Sequence, residues 1–304
     1  MNVFVTGASG YIGGSVAAAL LAAGHAVTGL VRSEERAHAV RKLGIEPVLG
    51  TLSDAALLAR AAQRADAVVN AASSDDRGAV EAMLPALAGS GKLFLHTSGS
   101  SIVGDLAAGE RGDAVYEDDT PIRPLPGKAA RVAVDQRVLA AANDGVRAVV
   151  LCPTMIYGRG HGLHQESIQV PRLIALARKH GVARHVGRGE NLWSNVHIDD
   201  LVPLYLLAFE KAPPGAFYYA ENGENAYREI AAAISRMLGF GGHAQAMPIG
   251  QAVAELGETA AQFSFGSNSR VRAVRARREL GWMPKARGLL DEIEHGCYAA
   301  ARES

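Results

Sequence analysis

The sequence predicts a doubly wound parallel α/β sheet, and three observations carry that expectation. Short apolar runs recur through the first half: "NVFVT" (2–6), "AVTGLV" (26–31), "AVVN" (67–70), "LFLHT" (93–97) and "AVVLC" (148–152). Stretches of helical composition separate them, and a glycine-rich turn follows the first run. Strands that are apolar throughout belong to a sheet covered on both faces, and their alternation with helices implies parallel pairing.

The first helix is expected within "GASGYIGGSVAAALLAAG" (7–24), with Gly24 as its stop. Ser33 followed by Glu34 and Glu35 supplies an N-cap and an acidic first turn for a helix to Leu43. "EPVLG" (46–50) adds a strand, and helices follow from about Asp54 to Arg64, through about Leu87, and near 129–143. After Gly158 the pattern changes to glycine- and histidine-containing loops, helices near 169–180, 199–210, 227–238 and 287–302, and the strand "AFYYA" (216–220). The expected organisation is a sheet domain over 1–158 and a smaller, mostly helical region over 159–304, with some segments packing back on the first.

A chain of 304 residues with 48% hydrophobic content has ample material for such a core. Lys+Arg and Asp+Glu both number 31, so the chain lacks the cationic excess that a nucleic-acid partner requires. The run "VAAALLAAGHAV" is too short to span a bilayer and follows no basic segment, so neither a membrane span nor a signal peptide is expected. Cys152 and Cys297 are two isolated thiols, which suits a reducing, cytoplasmic setting. Histidines 161, 164, 180, 185 and 197 lack compact ligand spacing, so no metal site is expected.

"VTGASGYIG" places Gly7, Gly10 and Gly13 between the first strand and the first helix. Glycine there permits the tight turn, the approach of backbone to a pyrophosphate and close helix–strand packing, while the helix N-terminus offers free N–H groups to phosphates. Where an acidic residue would hold a ribose 2′-hydroxyl, this chain has Val31-Arg32-Ser33. A cation at that point suits a 2′-phosphate, so NADP is expected over NAD, with Arg36 one turn further as an assistant.

With these motifs in place, the chain resembles the extended short-chain dehydrogenase/reductase superfamily, in particular its NAD-dependent epimerase/dehydratase branch and the atypical members of it. "TGASGYIG", "ADAVVNAAS" (65–73), "LHTSGSSIVGD" (95–105), "CPTMIYGRG" (152–160), "WSNVHIDDL" (193–201) and "RRELGWMPK" (277–285) carry the resemblance along nearly the whole length. It implies a Rossmann fold in which Gly7, Ser9, Gly10, Tyr11, Ile12 and Gly13 hold the pyrophosphate. Leu52 would flank the adenine, with Thr51 where an aspartate is usual. Ala71, Ala72 and Thr97 would line the cofactor, and Pro153, Thr154 and Met155 would pass the nicotinamide. His197 and Asp199 would fix the carboxy-terminal region against the sheet. A small-molecule substrate is implied, as is a homodimer through helices near 76–88 and 129–143.

The same resemblance implies a catalytic tyrosine, a lysine four residues later and a serine. In "PIRPLPGKAARVAVDQRVLAA" (121–141), matching Asp135 to the acidic residue after the lysine puts Arg131 at the lysine and Gly127 at the tyrosine. The alternative takes Lys128 as the lysine and Pro124 as the tyrosine. Neither supplies the phenol. The usual serine position falls on Gly99, between Ser98 and Ser100, either of which would polarise a substrate oxygen. Replacement acids are Tyr157 past the sixth strand, Tyr116, His161 and His164. The leading expectation is an NADP-dependent oxidoreductase of a small carbonyl or imine-type substrate. A nucleotide-sugar epimerase or dehydratase and a noncatalytic NADP-sensing protein are the alternatives.

Overall fold

The computed structural model describes residues 1–300, so the last two positions of the helix expected over 287–302 lie outside the described residues. The first half runs β1 (Asn2–Thr6), α1 (Tyr11–Ala22), β2 (Ala26–Val31), α2 (Glu34–Arg41), β3 (Glu46–Leu49), α3 (Ala55–Arg64), β4 (Ala67–Asn70), α4 (Arg77–Leu87) and β5 (Leu93–Thr97). It continues with β6 (Tyr116–Glu117), α5 (Pro126–Ala140), β7 (Arg147–Pro153) and β8 (Met155–Tyr157). The second half runs α6 (Gln169–His180), β9 (Ala183–Val186), β10 (Leu192–His197), α7 (Ile198–Lys211), β11 (Ala216–Ala220), β12 (Glu224–Ala226) and α8 (Tyr227–Met237).

Seven strands form one sheet in the order β11-β7-β5-β4-β1-β2-β3, and every neighbouring pair is parallel. This is the expected doubly wound fold. β1, β4, β5 and β7 are apolar along their length because helices cover both faces, and Phe4, Val68, Phe94 and Val149 are fully buried. The strand order reverses between β1 and β4, which opens a crevice at their carboxyl ends.

Local signals set the helix boundaries. The Ser33 hydroxyl accepts from the Arg36 amide at 3.3 Å, the N-cap expected for α2. Pro126 sits in the first turn of α5, where its missing N–H costs nothing, so that helix begins three residues before the expected 129. His197 Nδ1 accepts from the Asp199 amide at 3.0 Å and caps α7.

The second half is interleaved with the first. β11, α7 and Trp282 join the sheet's core, whereas α6, α8 and residues 289–298 build a second apolar cluster around Met155, Tyr157 and Trp193. β10 lies within the "WSNVHIDDL" motif, and Ser194 and Asn195 interrupt its apolar run. Both are buried with hydrogen-bond partners: Ser194 Oγ to the Val271 carbonyl, and Asn195 Nδ2 to Asn225 Oδ1.

Candidate active site

The crevice between β1 and β4 is closed at its base by one hydroxyl. Thr6 Oγ1 donates to Asn70 Oδ1 at 2.6 Å and accepts from the amides of Ala71 and Ala72, both at 3.2 Å. Gly7, at φ +75°, passes so close that a Cβ there would lie 2.8 Å from the Ala71 carbonyl oxygen and 2.9 Å from the Ala72 Cα. A Cβ on Gly13 would run into the Gly7 carbonyl, 2.7 Å from its carbon. Backbone surrounds both positions, so only glycine fits. Gly13→Ala is therefore expected to misplace the turn and weaken dinucleotide binding at least about 10-fold, an effect of roughly 1.4 kcal/mol, read by titrating cofactor fluorescence.

Above this turn lies a groove of about 520 Å³. Gly7, Ser9 and Gly10 form one wall, Ala71 and Ala72 another, and Leu52 and Thr51 the far end. Arg32 and Arg36 both line it, and no carboxylate does among the described residues. Arg36 Nη1 donates to Ser9 Oγ at 3.1 Å, tying the arginine to the glycine turn. The site fits a dinucleotide: a glycine cradle that a Cβ would fill, an apolar residue for a base and two cations for phosphate. Tyr11 holds the arrangement from behind, its hydroxyl donating to the Gly158 carbonyl at 2.8 Å. His164 lies beside Ser9, Gly10 and Arg36 in an adjoining hollow.

A second cavity, about 570 Å³, opens over the carboxyl ends of β5 and β7. Gly99, Ser100, Ser101, Pro153 and Thr154 form its floor, and Lys128 and Arg131 project from α5. Arg131 is fixed on two sides: Nε and Nη2 donate to the two oxygens of Asp75 at 2.8 and 2.6 Å, and Nη1 donates to Ser101 Oγ at 3.1 Å. The guanidinium holds the Asp75 carboxyl below its usual range. Burial disfavours the charge of Arg131, but the bond to Asp75 outweighs it and the group stays cationic. A Cβ on Gly99 would lie 3.1 Å from Arg131 Nη1, so the guanidinium takes up space that a side chain at 99 would use. Likewise a Cβ on Gly127 would meet the Phe263 ring at 2.9 Å.

The structure separates the candidates for chemistry. Ser100 lies on the cavity wall, its Oγ 2.9 Å from that of Ser269. Ser98 is buried behind it, donating to Asp135 Oδ2 at 2.6 Å. Burial pushes the Asp135 carboxyl up to about 7 and lowers the neighbouring His96 to about 4, and the two face each other at 3.6 Å. Thr97 is also buried, its hydroxyl 2.7 Å from that of Tyr205. Met155 is fully buried in the second cluster and does not line the cavity.

Tyr157 departs from the expectation of a replacement acid. It is absent from the cavity wall; its hydroxyl donates to the Arg287 carbonyl at 2.8 Å and its ring stands edge-on to His197. Burial also pushes this phenol well above its ordinary range, away from easy proton release. Tyr157→Phe is expected to cost about 1 kcal/mol of stability through the lost hydrogen bond, seen in thermal melts, with dinucleotide affinity unchanged. His161 pairs with Asp199 at 2.7 Å and Tyr116 packs in β6, both away from the cavity lining. Among the described residues no group of three or more ligating side chains is placed to hold a metal, and no helix is long and apolar enough to cross a membrane.

Known proteins resemble this chain in sequence and in fold. The sequence profile of the "NAD dependent epimerase/dehydratase family" matches residues 3–219. The chain belongs to this family. The Oxidase ucsJ of Acremonium sp is 33% identical over 96% of this chain and 95% of its own length. A 4-hydroxy-2-methyl-3-oxo-4-farnesyl-3,4-dihydroquinoline-1-oxide ketoreductase of Stigmatella aurantiaca is 31% identical over 73% of this chain and 69% of its own. Among solved structures, dTDP-glucose 4,6-dehydratase of Bacillus anthracis in complex with NAD shares the fold, with TM-score 0.76 and 18% identity over 100% of this chain and 96% of that one. As a member of the epimerase/dehydratase family the protein is an NAD(P)-dependent oxidoreductase of the extended short-chain dehydrogenase/reductase kind.

Sequence reasoning missed Asp75, which braces Arg131 from outside the cavity lining, and Phe263 on the cavity wall. Asp75 stands in the "SSDD" loop after β4, where a strand end at the switch point was signal enough. Phe263 comes from a distant segment and carried no signal. Lys128 was considered only as the alternative partner of a tyrosine.

Proposed function

We propose that the protein is an NADP-dependent reductase that delivers hydride to a small carbonyl or imine-type substrate, at a site without the usual tyrosine. The observation that carries the cofactor choice is the pair Arg32 and Arg36 at one end of a groove whose lining holds no carboxylate, with Arg36 anchored to Ser9. Gly7, Ser9, Gly10, Tyr11, Ile12 and Gly13 hold the pyrophosphate in this reading. Leu52 flanks the adenine, and Ala71 and Ala72 line the middle of the groove. Thr97 and Met155 would support the nicotinamide end from behind, and Pro153 would flank it from the cavity lining.

The bound nicotinamide supplies the hydride. Arg131 is the cation that would engage its ribose, already oriented by Asp75 and Ser101, which lowers the entropy lost on binding hydroxyls. It does not give a proton at neutral pH, because a guanidinium stays charged. The Ser100 hydroxyl orients the substrate oxygen from the floor. Gly127 stands at the tyrosine's place, with Phe263 filling the space above it. The similarity to a ketoreductase over most of the chain supports reduction in preference to sugar epimerisation.

The test is NADPH and NADH titration followed by NADPH consumption with a panel of aldehydes, ketones and imines. Tighter NADPH binding and turnover of a panel member are expected. Binding without turnover is the outcome that a noncatalytic sensor would give.

A further inference from the structure

We infer that Lys128 is the proton donor of this site, acting as an ammonium toward the oxygen of a carbonyl substrate. The inference rests on the reductase reading above and narrows it to carbonyls, since an iminium needs no acid.

Position comes first. Lys128 shares the cavity wall with Gly99, Ser100, Pro153 and Thr154, and three residues along α5 stands Arg131, which faces the same space. Only 9% of Lys128 is exposed, although lysine is among the side chains most rarely buried without a carboxylate. No carboxylate lies within 4 Å of Nζ among the described residues. The aromatic face of Phe263, with its centroid 5.1 Å away, is the contact that holds it. Asp75, the nearest acid on the facing loop, is already taken up by both arms of Arg131.

The surroundings suit proton release. Burial first, and the Arg131 guanidinium second, hold the ammonium below the ordinary lysine range, while Asp75 opposes them. Lys128 also lies in the first turn of α5, where the helix dipole disfavours a cation. The other charged groups on the cavity are Arg172, from α6, and Glu258, from the segment after Leu256. Arg172 donates to the Leu256 carbonyl at 2.7 Å and Glu258 is approached by Gln262, so neither neutralises Lys128.

The step balances. As the carbonyl carbon gains hydride, the C=O π pair moves to oxygen, an Nζ–H bond breaks and an O–H bond forms. The product is an alcohol, the nicotinamide is oxidised, and the neutral amine left at Lys128 regains its proton from water at the cavity mouth. Because the ammonium is the active form, kcat falls as pH rises through the Lys128 pKa.

The experiment uses the full-length protein with NADPH and has two arms. Reductive ¹³C-methylation labels the six lysines, and Lys128→Arg identifies the Lys128 resonance by its loss. That resonance is expected to titrate at least about one pH unit below the other five; an ordinary lysine midpoint overturns the inference. In the kinetic arm, Lys128→Ala and Lys128→Arg are expected to lower kcat for a ketone about 100-fold with NADPH affinity retained, and added propylamine is expected to restore the alanine variant. Ketone turnover that survives Lys128→Arg overturns the donor role alone. NADPH binding with no turnover of any panel member overturns the reductase reading and the donor role with it.

Discussion

Replacing Arg32 and Arg36 together by aspartate is expected to invert the cofactor preference. Both side chains line the groove at the end of β2, and Arg36 is held against Ser9 of the glycine turn. Each charge-assisted hydrogen bond to a phosphate is worth roughly 1.5–3 kcal/mol, so losing two lowers NADPH affinity by about 100-fold or more. The new carboxylates repel a 2′-phosphate and accept from a ribose 2′-hydroxyl, so NADH affinity is expected to hold or improve. The single variants separate the roles. Arg36→Ala also removes a tether on Ser9 and is expected to weaken both cofactors, whereas Arg32→Ala acts on NADPH alone. Titration at two salt concentrations checks the cause: an electrostatic preference for NADPH shrinks as salt rises. An unchanged NADPH:NADH ratio in the double variant would remove the basis for the NADP reading.

The sheet was legible because its signal is redundant. Five apolar runs, a glycine turn and an N-cap at Ser33 each point to the same fold, and no single misreading would have altered it. The second half was less legible for a physical reason. Its strand β10 buries Ser194 and Asn195 against Val271 and Asn225, and polar residues that pair with remote chain segments leave no periodic pattern. The site divides the same way. The cofactor groove is lined by residues that follow β1, β2, β3 and β4 closely in sequence. The cavity is assembled from α5, the loops after β5 and β7 and the segment around Phe263, which lies more than a hundred residues beyond α5. Gly127 was recognised as a gap, but the ring that fills it was not, because nothing in a sequence marks which side chain comes to rest against a glycine.

If the site lacks the usual tyrosine as proposed, restoring one would be no simple repair. A side chain at 127 meets Phe263, and one at 99 meets the Arg131 guanidinium, which is itself locked to Asp75 and Ser101. In the proposed reading, Gly99, Gly127 and Arg131 are coupled through space. Arg131 takes up the room left at Gly99, and Phe263 takes up the room left at Gly127 while supplying the face on which Lys128 rests. Such coupled packing is what the proposed change of proton donor would require, because a donor's geometry must be set before its pKa matters.

The second large effect is expected at Asp200, one residue beyond the pair that the "WSNVHIDDL" motif suggested as scaffold. Asp199 is half exposed and pairs with His161, whereas Asp200 is buried in the first turn of α7. Its carboxylate accepts from the amides of Lys285 and Ala286 at 2.6 and 3.1 Å and from Asn222 Nδ2 at 3.3 Å, and its carbonyl accepts from the indole of Trp282 at 2.8 Å. One residue thus joins the sheet's core to the segment that leads into the second cluster, and it does so where the helix N-terminus favours a negative charge. Asp200→Ala leaves two backbone donors and an amide without their acceptor, at an expected cost of about 3–5 kcal/mol. The measurement is the urea midpoint at unchanged slope, which separates lost stability from a changed unfolded state. Asp200→Asn keeps one oxygen in reach of Lys285 and Ala286 but turns a donor toward Asn222, so a loss of about half that size is expected. Equal losses in both variants would mean that charge at the helix terminus, and not the amide acceptors, is what the two halves of the molecule depend on.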